Sequence, residues 1–249
     1  MLLVYEQPLN EKVRNYLRIE TVAAQVEAHG RFDHPGAEWA FFRSLFELGE
    51  LLERADLRSE ALKDLERQLN HVALWRQAAN VDQEQLNALE AQFTGLLQGL
   101  QKLTRPGQHL KTDRFLSALR QRMTIPGGYG SFDLPQFHHW QALPVEDKVA
   151  QAQSWRQELS PMVDTVRLLL TMLRETGRWT EQIAMNGCYQ ETSEQGLELL
   201  RVQVKQEYGV YPTISAHRHR YTIHLINYET GKGDNRNLPV RLSLSMEAK

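Results

Sequence analysis

Near residue 179 the spacing of apolar residues changes from a helical period to a period of two, and that change restricts what the chain can fold into. Before it, apolar positions recur at intervals of three and four. After it they alternate, as in Leu200, Val202 and Val204 against Arg201, Gln203 and Lys205. Such a chain is α+β: an N-terminal helical bundle domain over 1–178, opening on a short strand or arm at 1–8, then a small antiparallel β domain over 179–249. A chain of 249 residues has ample core for both.

In the helical part, Asn10 predicts the N-cap of a helix running to about residue 28. Val13, Tyr16, Leu17, Ile19, Val22, Ala23, Ala24 and Val26 cover more than half of its wheel, so the helix is expected to be largely buried. Arg14, Arg18, Thr21 and Gln25 share the remaining strip. Arg14 and Arg18 are four apart and point the same way. They reach either a groove or acidic partner, or an internal salt bridge, with Glu11 as one candidate. A second helix is expected over 37–54, with Gly49 marking a close helix crossing. Residues 57–103 read as a helical hairpin, its second helix opened by Asp82 and Gln85 in the manner of a capping box. Ser160 followed by Pro161 predicts a capped helix start, and Gly177 the end of that helix.

The stretch 111–140 joins a basic helix, a glycine loop and an aromatic-histidine helix. Thr112 reads as an N-cap with Asp113 in the first turn, and Leu116, Leu119 and Met123 form an apolar stripe. Arg114 and Arg122 lie off that stripe. Residues 125–128 stop the helix. Asp133 and Pro135 start another, which carries Phe137, His138, His139 and Trp140. Between Lys102 and Arg122 there are six basic residues and one acid, a local charge of +5 in a chain whose total is −2. Such a patch serves an anionic partner or is a solvated face.

In the β part, strands are expected over 182–189, 198–206 and 240–245, with a hairpin loop at 230–235. One further run, 215–226, places His219, Tyr221, Ile223 and Leu225 on one face and Arg218, Arg220, Thr222, His224 and Ile226 on the other. Arg201 and Lys205 are candidates for a neighbouring strand. Like charges crowded on one sheet face favour an anionic partner. A peptide carrying carboxylates matches better than RNA, because no RNP-like or helix-turn-helix signature is present and the total charge is not basic. The alternative is a nucleic-acid-binding module using the 102–122 patch.

The chemistry-bearing motifs argue against an enzyme. The run Gly127-Gly128-Tyr129-Gly130-Ser131-Phe132 lacks the Gly-Lys-Ser/Thr of a phosphate loop and does not spell Gly-x-Ser-x-Gly. His138-His139 and His217-x-His219 have no cysteine or carboxylate at ligand spacing, and a zinc site needs three or four convergent ligands, so no metal is expected. Cys188 is the single cysteine, which rules out an internal disulfide. No catalytic pair and no cofactor motif stands out. Glu6 and Glu11 interrupt any signal-peptide pattern, and no apolar run approaches the ~18 residues of a membrane span. A cytoplasmic protein with no membrane contact is expected.

Five stretches together resemble the ZapD family of cell division proteins: residues 6–20 (EQPLNEKVRNYLRIE), 41–48 (FFRSLFEL), 113–128 (DRFLSALRQRMTIPGG), 131–135 (SFDLP) and 186–190 (NGCYQ). The resemblance covers nearly the whole chain. It implies a homodimer with a helical and a β domain that is not an enzyme. It also implies binding to the C-terminal tail of the tubulin-like protein FtsZ, bundling of its filaments, and a place at the midcell division ring. The family's basic groove lies between its domains. Matched by motif, that groove implies Arg18, Arg114, His138 and Arg220 here. A further family arginine aligns with His224, and histidine carries only part of arginine's charge near neutral pH. The helical wheel and strand parity add Arg14 and Arg218. Phe137 or Trp140 would be apolar neighbours of the bound tail.

Overall fold

The structure, a computed structural model, describes residues 1–76, 82–192, 196–217 and 220–246. It is α+β, with a helical region followed by antiparallel sheets. The elements in chain order are β1 (Leu2–Pro8), α1 (Glu11–His29), α2 (Ala37–Leu52), α3 (Ala55–Trp75), α4 (Gln83–Lys102) and α5 (Gln108–Thr112). Then come α6 (Arg114–Met123), α7 (Pro135–Gln141), α8 (Val145–Gln157) and α9 (Ser160–Thr176). The strands β2 (Arg178–Ala184), β3 (Cys188–Thr192), β4 (Leu197–Lys205), β5 (Val210–His217), β6 (Arg220–Asn227) and β7 (Leu238–Met246) complete the chain. Contacts gather it into two units, 18–169 and 1–17 with 170–249.

In the 18–169 unit the core is aromatic. Phe42 is fully buried, and the rings of Phe41, Phe46, Phe115, Phe137, Trp140 and Trp155 lie 5.0–6.4 Å from it. Edge-to-face pairs of this kind add about 0.5–1.5 kcal/mol each beyond area burial. Lys148 is nearly buried and is held by Glu38 at 2.7 Å and by the Gln141 carbonyl at 3.2 Å. The hairpin of α3 and α4 has Leu65, Val72, Leu86, Phe93 and Leu100 in its seam. Asp82 caps α4, accepting from the amides of Glu84 and Gln85, a cap worth about 1 kcal/mol. At Gly49 the close neighbour is α5: an added Cβ would lie 2.8 Å from Leu110.

Two helix starts differ from expectation. Asp113, not Thr112, caps α6, its carboxylate accepting the Leu116 amide at 2.9 Å. Thr112 instead closes the extra short helix α5, its hydroxyl donating to the His109 carbonyl. Ser160 lies inside α9 and donates back to the Gln157 carbonyl at 3.0 Å. Only two residues separate α8 from α9, so the Leu159 carbonyl takes the amides of Met162 and Val163. Asn10 caps α1 as expected, receiving the Val13 amide at 2.8 Å.

In the other unit, a four-stranded sheet runs β1-β4-β7-β2 and a three-stranded sheet β3-β6-β5, every pairing antiparallel. Leu200, Val202, Val204, Val240 and Leu242 from the first sheet meet Val210, Tyr221, Ile223 and Leu225 from the second in one buried cluster. The outer face of the first sheet is covered by the end of α9, where Ser245 donates to the Leu173 carbonyl at 2.6 Å. Gly177 is needed there for space, since a Cβ would meet the hydroxyls of Ser243 and Ser245.

Two strand expectations change. The run 182–189 breaks at Asn186-Gly187, both at positive φ (48° and 68°), so β2 and β3 enter different sheets. At Gly187 a Cβ would also collide with the Asp234 carbonyl, so glycine is required twice over. The run 215–226 is two antiparallel strands, β5 and β6, with Arg218 and His219 outside the described residues. The 230–235 loop does fold back on the end of β6, with an antiparallel bridge between Ile226 and Gly233 and the amides of Asn227 and Asp234 donating to the Lys232 and Leu225 carbonyls, but β7 beyond it joins the other sheet. Tyr211 and Pro212 lie within β5, an edge strand, where proline's missing N–H is tolerated.

Candidate functional site

Six of the seven candidate side chains are described, and they distribute over both units. Arg18, Arg114 and His138 belong to the 18–169 unit, and Arg14, Arg220 and His224 to the other. Arg218 lies outside the described residues.

Arg114 occupies the first position of α6. A cation there opposes the positive end of the helix dipole, an arrangement unfavourable by about 0.3–1 kcal/mol. Its side chain is exposed and has no hydrogen-bond or ion-pair partner among the described residues. His138 lies in the last turn of α7, where the helical period turns Phe137 and Trp140 inward and leaves His138 and His139 exposed. Phe137 is 2% exposed and packs against Trp39, Phe42 and Trp140, so it is core and not a neighbour for a bound segment. Arg18 is exposed on α1. Arg14 takes the internal alternative, pairing with Glu11 at 3.2 Å.

On the β side, Arg220 and His224 are exposed on β6. Arg220 donates to Gln190 at 2.6 Å. The neighbours of β6 are β3 and β5, so Arg201 and Lys205 of β4 do not join its basic face. Arg201 instead donates to the Arg174 carbonyl and to Ser243, and Lys205 pairs with Glu207. On the same sheet Glu191 accepts from the hydroxyls of Tyr189 and Tyr221. Burial, reinforced by that carboxylate, pushes Tyr189 up to about 12 and raises Tyr221 as well.

The 102–122 patch is half neutralised by residues distant in sequence. Lys111 pairs with Glu53 at 2.7 Å, Arg120 with Glu50 at 2.7 Å, and Arg122 with Asp133 at 3.5 Å. Lys102, Arg105 and Arg114 have no such partner among the described residues. Nor, among those residues, does any group of three His, Cys, Asp or Glu side chains stand close enough to hold a metal.

Beside Arg114 lies a feature the sequence reasoning missed. Asp113, Phe115, Gln136, His139, Trp140, Leu143, Gln151, Ser154 and Trp155 line a concavity of about 450 Å³. Phe115 and Trp155 stack at 5.8 Å with 10° between their planes, and Trp140 stands 6.3 Å from Trp155. Both indole N–H groups are occupied: Trp155 donates to Asp113 at 3.3 Å and Trp140 to Gln151 at 2.9 Å. No local pattern connects Phe115 with Trp155, which lie forty residues apart on separate helices. The aromatic residues flanking Arg114 and His138 were the available signal.

Comparison with known proteins gives a consistent result. A family model described as the cell division protein ZapD matches residues 17–224. "Cell division protein ZapD" of Shewanella baltica (strain OS185) is 42% identical over 241 residues, covering 97% of this chain and 98% of that one. The protein of the same name from Vibrio vulnificus (strain CMCP6) is 40% identical over 240 residues, covering 96% and 97%. That of Vibrio cholerae (strain O395) is 42% identical over 228 residues, 92% of each chain. Among the described residues no helix is long and apolar enough to cross a membrane.

Proposed function

The chain belongs to the ZapD family of cell division proteins, and from that premise we propose that it works in division as a non-catalytic crosslinker of FtsZ filaments. Each subunit of a homodimer binds one C-terminal tail of FtsZ through basic residues, and two joined sites tie two filaments together in the cytoplasm at the midcell ring. Linking two sites raises avidity without demanding tight single contacts. Arg18, Arg114 and Arg220 supply charge-assisted hydrogen bonds to the tail's carboxylates. His138, His224 and Arg218 complete the basic set, and Arg14, paired with Glu11, stands outside it.

The observation that carries this reading is Arg114: an exposed arginine with no partner among the described residues, set where the helix dipole disfavours a cation. A local rule broken without internal compensation points to a ligand. The nucleic-acid alternative loses support from the pairing of Lys111, Arg120 and Arg122 with acids.

The test is co-sedimentation with FtsZ filaments, with and without their C-terminal tail. The protein is expected to pellet only with tailed filaments. Arg114→Glu is expected to weaken tail binding at least about tenfold, since a charged hydrogen bond contributes about 1.5–3 kcal/mol. Equal pelleting with tailless filaments, or full binding by a folded Arg114→Glu protein, would remove the proposal.

A further inference from the structure

We infer that the cavity walled by Phe115, Trp140 and Trp155 receives an apolar side chain of the acidic segment that Arg114 engages. The inference rests on the proposed binding of an acidic tail and adds what, besides charge, the site reads.

The chemistry of the lining defines the occupant. The walls offer ring surface from the half-buried Phe115 and Trp155, with the edge of the largely buried Trp140 behind them and Leu143 beside. Two polar groups of the lining, half-buried Asp113 and exposed Gln151, are already engaged. Asp113, its one carboxylate, accepts from the Leu116 amide and from the Trp155 indole, and Gln151 accepts from Trp140. Beside them the half-buried rings of Phe115 and Trp155 offer apolar contact. The rim differs. Gln136, His139 and Ser154 are exposed, and their side chains have no hydrogen-bond partner among the described residues. Apolar walls under a polar rim suit a side chain inserted from a peptide whose backbone stays at the mouth.

Charge complementarity selects the kind of peptide. Arg114 sits in the chain between two wall residues, Asp113 and Phe115, and is exposed and unpartnered among the described residues. His138 adjoins the rim residue His139. With Asp113 held by two donors, the exposed unpaired charge on the α6 side of the cavity is that of Arg114. The occupant is thus an acidic segment with an apolar residue next to its carboxylates.

Two arms test this by titration, with the FtsZ tail as a synthetic peptide. In the first, Ser154→Trp fills the mouth from an exposed position and leaves Arg114 in place. In the second, the wild-type protein meets a tail peptide whose apolar residues are serine and whose acidic residues are kept. Each is expected to lose roughly 10- to 100-fold in affinity with the salt dependence unchanged. Wild-type tail is also expected to shift tryptophan emission, and Trp155→Phe to diminish that shift. Unchanged affinity in a folded Ser154→Trp protein, or for the serine peptide, overturns the inference. So does apolar-dependent binding that leaves the emission still. If Ser154→Trp does not fold, the peptide and emission arms decide. A wild-type protein that binds no tail peptide would sink the proposed function itself, whereas tail binding indifferent to the plug sinks only the pocket.

Discussion

Arg201 and Arg114 show how differently the two units treat a cation. Arg201, in the sheet unit, stacks on Trp179 at 4.8 Å and donates to the Arg174 carbonyl and to Ser243. Burial pulls its guanidinium below its usual pKa, against the opposing attraction of Glu6, and its Nε is buried with no hydrogen-bond partner among the described residues. Nearby, Arg174 grips Glu6 through two hydrogen bonds of 2.8 and 2.7 Å. These arginines hold the end of α9 against the sheet. In the helical unit Arg114 has no such duty. It stands in water at a helix start that an acid would suit better. A charge consumed by the fold cannot also recognise a partner, whereas one that the fold leaves exposed can.

The contrast can be broken by measuring stability in denaturant. The largest effect is expected at Phe42→Ala, about 3–5 kcal/mol, because the fully buried ring touches six others and its removal leaves a cavity. A loss under about 1 kcal/mol would mean that the aromatic cluster does not anchor the helical unit. Next is Glu6→Gln, expected to cost about 1–3 kcal/mol by weakening the hold on the half-buried Arg174. Arg114→Glu should change stability by no more than about 0.5 kcal/mol while impairing tail binding. If the Glu6 and Arg114 variants lose the same stability, the distinction between structural and exposed cations fails.

The smallest effect concerns pH. Hydrogen bonding to Arg167, partly opposed by burial, holds the Glu27 carboxyl below its ordinary value. A depressed carboxylate stabilises the fold at neutral pH and loses that contribution as the pH falls through its folded-state value. The stability gap between wild type and Glu27→Gln should therefore be present at pH 7 and close below about pH 4. Solvent screening at this half-exposed pair keeps the gap small. A gap independent of pH would show that the charge of Glu27 contributes nothing.

Much of the fold was legible before any coordinates. The change of period near 179 marks where α9 gives way to β2, and Asn10 and Asp82 cap the helices they were expected to cap. Leu200, Val202 and Val204 face the core, as do Tyr221, Ile223 and Leu225. These signals are local, since a cap acts within three residues and a strand's faces alternate with every residue. Thr112 and Ser160 misled because each has the cap chemistry but sits where another residue already fills the place. The Asn186-Gly187 pair was the missed sign that one apparent strand was two.

The candidate site was legible only as a set of basic positions. The sequence by itself determined that Arg114 begins a helix region off its apolar stripe, and that His138 and His139 share a helix with two inward aromatics, because spacing along a helix sets direction. Tertiary structure decided which sheet each strand joined and which cations would be neutralised. Lys111 meets Glu53 and Arg120 meets Glu50, partners 58 and 70 residues away. It also brought Phe115, Trp140 and Trp155 around one cavity. The physical reason is range: periodicity and capping act over a few residues, whereas ion pairs and ring contacts exist only after distant helices have packed.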